Sequence, residues 1–133
     1  MTQINKFSLN THFTALKQLP QVFTGSLHIP GRTVPANSLG IVLDRTILNV
    51  PAGVYVETPL LRCTLDGNIN HLRHGVMLAL GTQGYFYYSI NQINNSQYEL
   101  IAKMENYSTS PLVLSDVDIE VFLRLAIAPF DAN

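Results

Sequence analysis

One alternating stretch near the end of the sequence limits what the chain can fold into. Read every second residue from Val117: Val117, Ile119, Val121, Leu123, Leu125 and Ile127 are all apolar. The interleaved set is Asp116, Asp118, Glu120, Phe122, Arg124 and Ala126. A period of two held this long describes a half-buried strand, because successive side chains of a strand point to opposite faces. The β-branched residues Val117, Ile119, Val121 and Ile127 fit a pleated surface. A strand of this length needs paired neighbours and a second layer over its apolar face.

The rest of the sequence supplies both. Residues 22–29 read as a strand stopped by Pro30-Gly31, and 33–38 as a loop rich in turn residues. In 39–48 the residues Leu39, Ile41, Leu43 and Ile47 share one parity, with Arg45 as the exception, and Pro51-Ala52-Gly53 turns the chain. Residues 54–64 form a strand that Pro59 assigns to a sheet edge or a bulge. Asp66-Gly67-Asn68 is a turn, and 72–80 is apolar enough for the core. An aromatic strand follows at 85–93, then a turn at Asn94-Asn95. In 96–106, Tyr98, Leu100, Ala102 and Met104 alternate with Glu99, Ile101, Lys103 and Glu105.

The expectation is an all-β protein: an antiparallel, jelly-roll-like β-sandwich of about seven to eight strands. Residues 21–133 would form the sandwich and residues 1–20 an N-terminal arm or attachment segment. At 133 residues the chain is one domain by size.

Charged residues make up 13% of the chain, against about 25% in an average soluble domain. Asn, Gln, Ser and Thr must therefore cover much of the surface. A net charge of −1 gives no footprint for nucleic acid or an anionic membrane. The expectation is no nucleic-acid partner and no membrane insertion. The first residues lack the pattern of a signal peptide, so a chain made in a cytoplasm is expected, and the sequons at Asn94 and Asn106 read as chance matches. Cys63 is the one cysteine, so no internal disulfide or cysteine-based zinc site can form.

Few residues suggest chemistry. His71 and His74 stand three apart, which in a strand sends them to opposite faces, and no third ligand is near in sequence. Asp116, Asp118 and Glu120 share a strand face at intervals of about 7 Å. Hard oxygen ligands suit calcium, but a charged outer face that discourages edge pairing is the simpler reading. No nucleophile–base order, phosphate-cradling loop or acid/base pair is present. No catalytic residue, metal ligand or cofactor is expected, and the chain is read as a non-enzyme. The interface or ligand candidates are Tyr85, Phe86, Tyr87 and Tyr88, of which alternation puts one pair inside and one outside.

The order of these features resembles a phage virion module, the β-sandwich tip domains of tail fibres and related appendages or head decorations. The residues that carry it begin with Thr24-Gly25-Ser26-Leu27-His28-Ile29, Val34-Pro35-Ala36-Asn37-Ser38 and the turn Pro51-Ala52-Gly53. Ile93-Asn94-Asn95-Ser96-Gln97-Tyr98-Glu99-Leu100, Asn106-Tyr107-Ser108 and the alternating strand from Ile119 to Ala128 complete it. The resemblance implies a homo-oligomer, a trimer in the favoured arrangement, located in the virion with other virion proteins as partners. It also implies an adaptor, decoration or host-adhesion role, in which a host-surface glycan is a further partner. No collagen-like repeat or heptad stands ahead of the domain, so attachment is expected through residues 1–20 or through another protein. An alternative with the same fold and aromatics is a carbohydrate-binding module. The rhythm from Glu105 to Pro129 is also similar to the C-terminal part of trimeric dUTPases, but that family's Asp-Ala-Gly-type segment and glycine-rich tail are missing. A dUTPase-like nucleotide hydrolase is the third and least favoured reading.

Overall fold

A computed structural model of the chain describes residues 17–127 except His74. Ten strands run in order: β1 (Lys17–Ile29), β2 (Arg32–Val34), β3 (Ser38–Asn49), β4 (Tyr55–Leu65), β5 (Asn68–Arg73), β6 (Leu78–Leu80), β7 (Gly84–Asn94), β8 (Gln97–Asn106), β9 (Leu112–Leu114) and β10 (Val117–Ile127). Sheet I has the order β1-β10-β4-β5 and sheet II the order β3-β8-β7-β6, with β2 and β9 as a two-stranded ribbon. Every pairing is antiparallel. The protein is an all-β sandwich.

A folded ribbon organises it. β1, β2 and β3 run against β10, β9 and β8 in turn, so one long antiparallel pair leaves sheet I, bends at β2/β9 and enters sheet II. The hairpins β4–β5 and β7–β8 then widen the two sheets. The first closes through Asp66 and Gly67, both at positive φ (51° and 76°). Two consecutive left-handed residues give a turn whose twist matches the paired strands, and Asp-Gly adopts it readily.

β10 lies between β1 and β4, and its alternation is realised from Val117 to Leu125; beyond it Ala126, of the interleaved set, is buried as well. Val117, Ile119, Val121, Leu123 and Leu125 face the core together with Ile29, Leu61 and Cys63, all buried. Sheet II covers them with Leu43, Leu48, Phe86, Tyr88, Leu100, Ala102 and Met104. Asp116 falls in the break between β9 and β10, so the bend lies just ahead of the apolar rhythm, which begins at Val117.

Three expectations are corrected. The sheet begins at Lys17, which pairs with Ile127, so the boundary at residue 20 cuts through β1; residues 1–16 lie outside the described residues. In β3, Leu39 and Ile47 are exposed while Leu43 and Leu48 are buried. Register shifts after Ser38 and Val42 change the strand's parity, since a bulge moves every later side chain to the other face. Residues 72–80 are divided: Leu72 ends in the core, Val76 and Met77 are exposed in the crossing between sheets, and Leu78 starts β6. Pro59 keeps its expected place, since β5 covers β4 only from Leu60 onward.

Candidate functional site

The aromatic strand is where folding and surface chemistry separate. On β7, Gly84, Phe86 and Tyr88 face inward and are buried, whereas Tyr85 and Tyr87 face outward and are half-buried. The side chains of Phe86 and Tyr88 therefore drop out as surface contacts, because both are part of the core. Burial pushes the Tyr88 phenol up to about 12 and does the same for the Cys63 thiol, so both stay un-ionised at neutral pH. Cys63 is fully buried and free, without the accessibility of a reactive thiol.

The outward tyrosines gain a third member that the sequence reading did not single out. Tyr107, half exposed, brings its ring to 5.6 Å from that of Tyr85, which lies 6.4 Å from Tyr87. These spacings fall within the range of aromatic pairing. The Tyr87 hydroxyl donates to Glu105 Oε2 at 3.2 Å. Desolvation, followed by the Glu105 charge, raises the Tyr87 pKa above its ordinary value. Register places Tyr85 opposite Glu105, and Tyr87 opposite Lys103, which is itself opposite Val42. The result is a face of rings and aliphatic groups with charges between them. Tyr107 stayed hidden because it lies beyond the end of β8, where alternation says nothing about direction.

A buried amide holds this face in place. Asn106 is fully buried, opposite Gly84 in register. Its Nδ2 donates to the carbonyls of Val34 (3.2 Å), Pro35 (3.1 Å) and Ser110 (2.9 Å). Its Oδ1 accepts from the Ser108 amide (3.1 Å) and hydroxyl (2.7 Å). One side chain thus ties the ribbon corner to the loop after β8, with both ends of the amide satisfied. Gln83 reinforces the loop: its Nε2 donates to the Ser110 and Pro111 carbonyls, and its own carbonyl accepts from Tyr107 N at 2.9 Å. Tyr107 is fixed beside Tyr85 by this backbone bond. The sequon at Asn106 is structural, and its amide is unavailable in the folded chain.

The outer face of sheet I differs. Asp116, Asp118 and Glu120 do not converge on a common point. His28 Nδ1 sits 2.6 Å from Asp118 Oδ1, and its Nε2 is 3.7 Å from Asp116 Oδ2. Asp116 also accepts from Gly31 N, and Glu120 lies 3.3 Å from Arg62. The hydrogen bond to Asp118 leads in raising the His28 pKa above 6.5, with smaller charge effects from Asp118 and Asp116. His71 is exposed on β5, opposite Arg62, and His74 lies outside the described residues. Among the described residues, no group of three or more His, Cys, Asp or Glu is placed to hold a metal ion. Two open grooves, of about 380 and 520 Å³, share Arg62 on this face.

Comparison with known proteins finds no matching family model, no matching curated protein and no matching solved structure.

Proposed function

We propose that the chain is a non-enzymatic structural protein that self-associates, a β-sandwich subunit of a phage particle in an adaptor, decoration or adhesion role. The observation that carries the reading is the outward cluster of Tyr85, Tyr87 and Tyr107 on sheet II. Such rings offer a large area at little conformational cost, and their hydroxyls keep partners when water leaves. A surface poor in charge supports association further. The virion assignment rests on the resemblance in turn and strand order.

Light scattering on a dilution series of the purified chain tests self-association. The expected result is an oligomer that dissociates when Tyr85 and Tyr87 are replaced by Ala. Unchanged assembly of that variant would remove the tyrosine face from the interface. The three rings beside the Glu105 carboxylate also suit stacking on a sugar, which keeps a carbohydrate-binding module as the second reading. Glycan-array binding by the isolated chain, lost on Tyr85→Ala, would favour it.

A further inference from the structure

The sandwich has four sheet edges, and one of them differs from the others. β1 carries Lys17, Pro20 and two register breaks along its length. β3 has two breaks, a left-handed Gly40 and the charged pair Asp44-Arg45. β5 is six residues long and bears His71 and Arg73. Short length, charge, proline and bulges are the usual means of keeping a free edge from pairing with another chain.

The fourth edge has them only in part. β6 covers β7 at Gly84, Tyr85 and Phe86 and then ends. From residue 87 on, no strand among the described residues pairs with that side of β7. Residues 87–92 read Tyr-Tyr-Ser-Ile-Asn-Gln, with no charge and no proline, and the one register shift of β7 falls after Gln92. Asn91 and Gln92 are exposed. Val76 and Met77, also exposed, immediately precede Leu78, the partner of Phe86.

We propose that residues 88–92 of β7 pair antiparallel with the same residues of a second copy of the chain. A twofold axis at Ile90 would set Ser89 of one copy opposite Asn91 of the other, and Tyr88 opposite Gln92. The two four-stranded sheets II would join into one continuous sheet. Self-pairing of this kind brings each residue against itself or a near neighbour, so any charge in the run would meet its own like. Residues 21–27 of β1 and 38–43 of β3 are uncharged too, but each of those runs is broken by a register shift, whereas this one is unbroken up to Gln92. The run spans about 17 Å, the length of an ordinary strand pairing. The pairing does not depend on the virion role.

Two charge variants at the exposed Asn91 test the proposal. Asn91→Lys and Asn91→Glu are each expected to halve the mass of the assembly measured by light scattering. An equimolar mixture should restore the full mass, because unlike charges then meet across the axis. Thermal melting within a few degrees of the parent would show that both variants fold. In the parent, amide exchange over residues 88–92 should be slower than in either variant. Unchanged mass in both variants would overturn the proposal. So would a monomeric parent whose amides at 88–92 are nevertheless protected, which would put a strand of the chain itself on this edge. Loss of the tyrosine face has a separate signature, dissociation in the Tyr85→Ala, Tyr87→Ala variant with β7 pairing intact.

Discussion

The inner and outer faces of sheet II are built from alternate residues of the same two strands, yet they have different tasks. Inward, Gly84, Phe86 and Tyr88 meet Leu100, Ala102, Met104 and Asn106 in a packed layer without room for change. Outward, Tyr85 and Tyr87 stand half-buried among Glu105, Lys103 and Val42. The inner face fixes stability, and the outer face can change with little effect on the fold. The contrast teaches that the same residue type, tyrosine, has its role set by parity: Tyr88 is core and Tyr87 is surface. Sheet I's outer face is a third case, since His28 with Asp118 and Arg62 with Glu120 pair there at short range and stay in water.

Substitutions on the inner face should have the largest effects. A side chain at Gly84 would run into the Glu105 carbonyl of the paired strand, which is backbone and cannot step aside. Gly84→Ala is expected to prevent folding or to lower stability by more than about 4 kcal/mol, as for other severe backbone clashes. Phe86→Ala should cost about 3–5 kcal/mol through the cavity it leaves. Urea denaturation of each variant checks both values, and a loss under about 1 kcal/mol in either would contradict the assignment of this face.

Asn106→Ala comes next. It removes the side-chain partner of the Val34 and Pro35 carbonyls and of the Ser108 amide, while the Ser110 carbonyl keeps Gln83 and the Ser108 hydroxyl, and a loss of about 3 kcal/mol follows. Amide exchange in the loop carrying Ser108 should accelerate as well, since the side chain anchors it. Faster exchange elsewhere with the loop unaffected would show that the amide packs without organising the corner.

On the outer face, Tyr85→Ala and Tyr87→Ala should each shift unfolding stability by less than about 1 kcal/mol, the usual range for half-exposed positions. Their effect should appear in association. A variant that loses several kcal/mol as a monomer would erase the distinction between the faces.

The smallest expected effect lies on sheet I. His28 has a raised pKa in the folded chain, so its protonated form is the one bound by Asp118. The folded state holds that proton more tightly than the unfolded one. Its stabilising contribution is therefore complete below the ordinary histidine value of 6.5 and is lost as pH rises through the folded pKa. Asp118→Asn should flatten stability in that window. A slope that persists in the variant would assign it to another group. Because the pair is exposed, the change should be slight.

Much of the fold is legible from particular residues. The six apolar positions from Val117 to Ile127 specify a strand with a buried face, and five of them, Val117 to Leu125, are buried. Leu100, Ala102 and Met104 do the same for β8. Asp66-Gly67 marks a hairpin because both residues tolerate left-handed backbone. The candidate site was legible only by half. Alternation separates Tyr85 and Tyr87 from Phe86 and Tyr88, but it does not say which pair faces in.

The sequence by itself determined the strand period, the all-β class and the relative parity of neighbouring side chains, since these follow from local backbone geometry. Only the tertiary structure decided the direction of that parity on β7, its reversals along β3, the strand order and the burial of Asn106. Each of those depends on which strand lies beside or across from which. Residues distant in the chain, such as Val34 and Asn106 or Gly84 and Glu105, meet only once both sheets have formed.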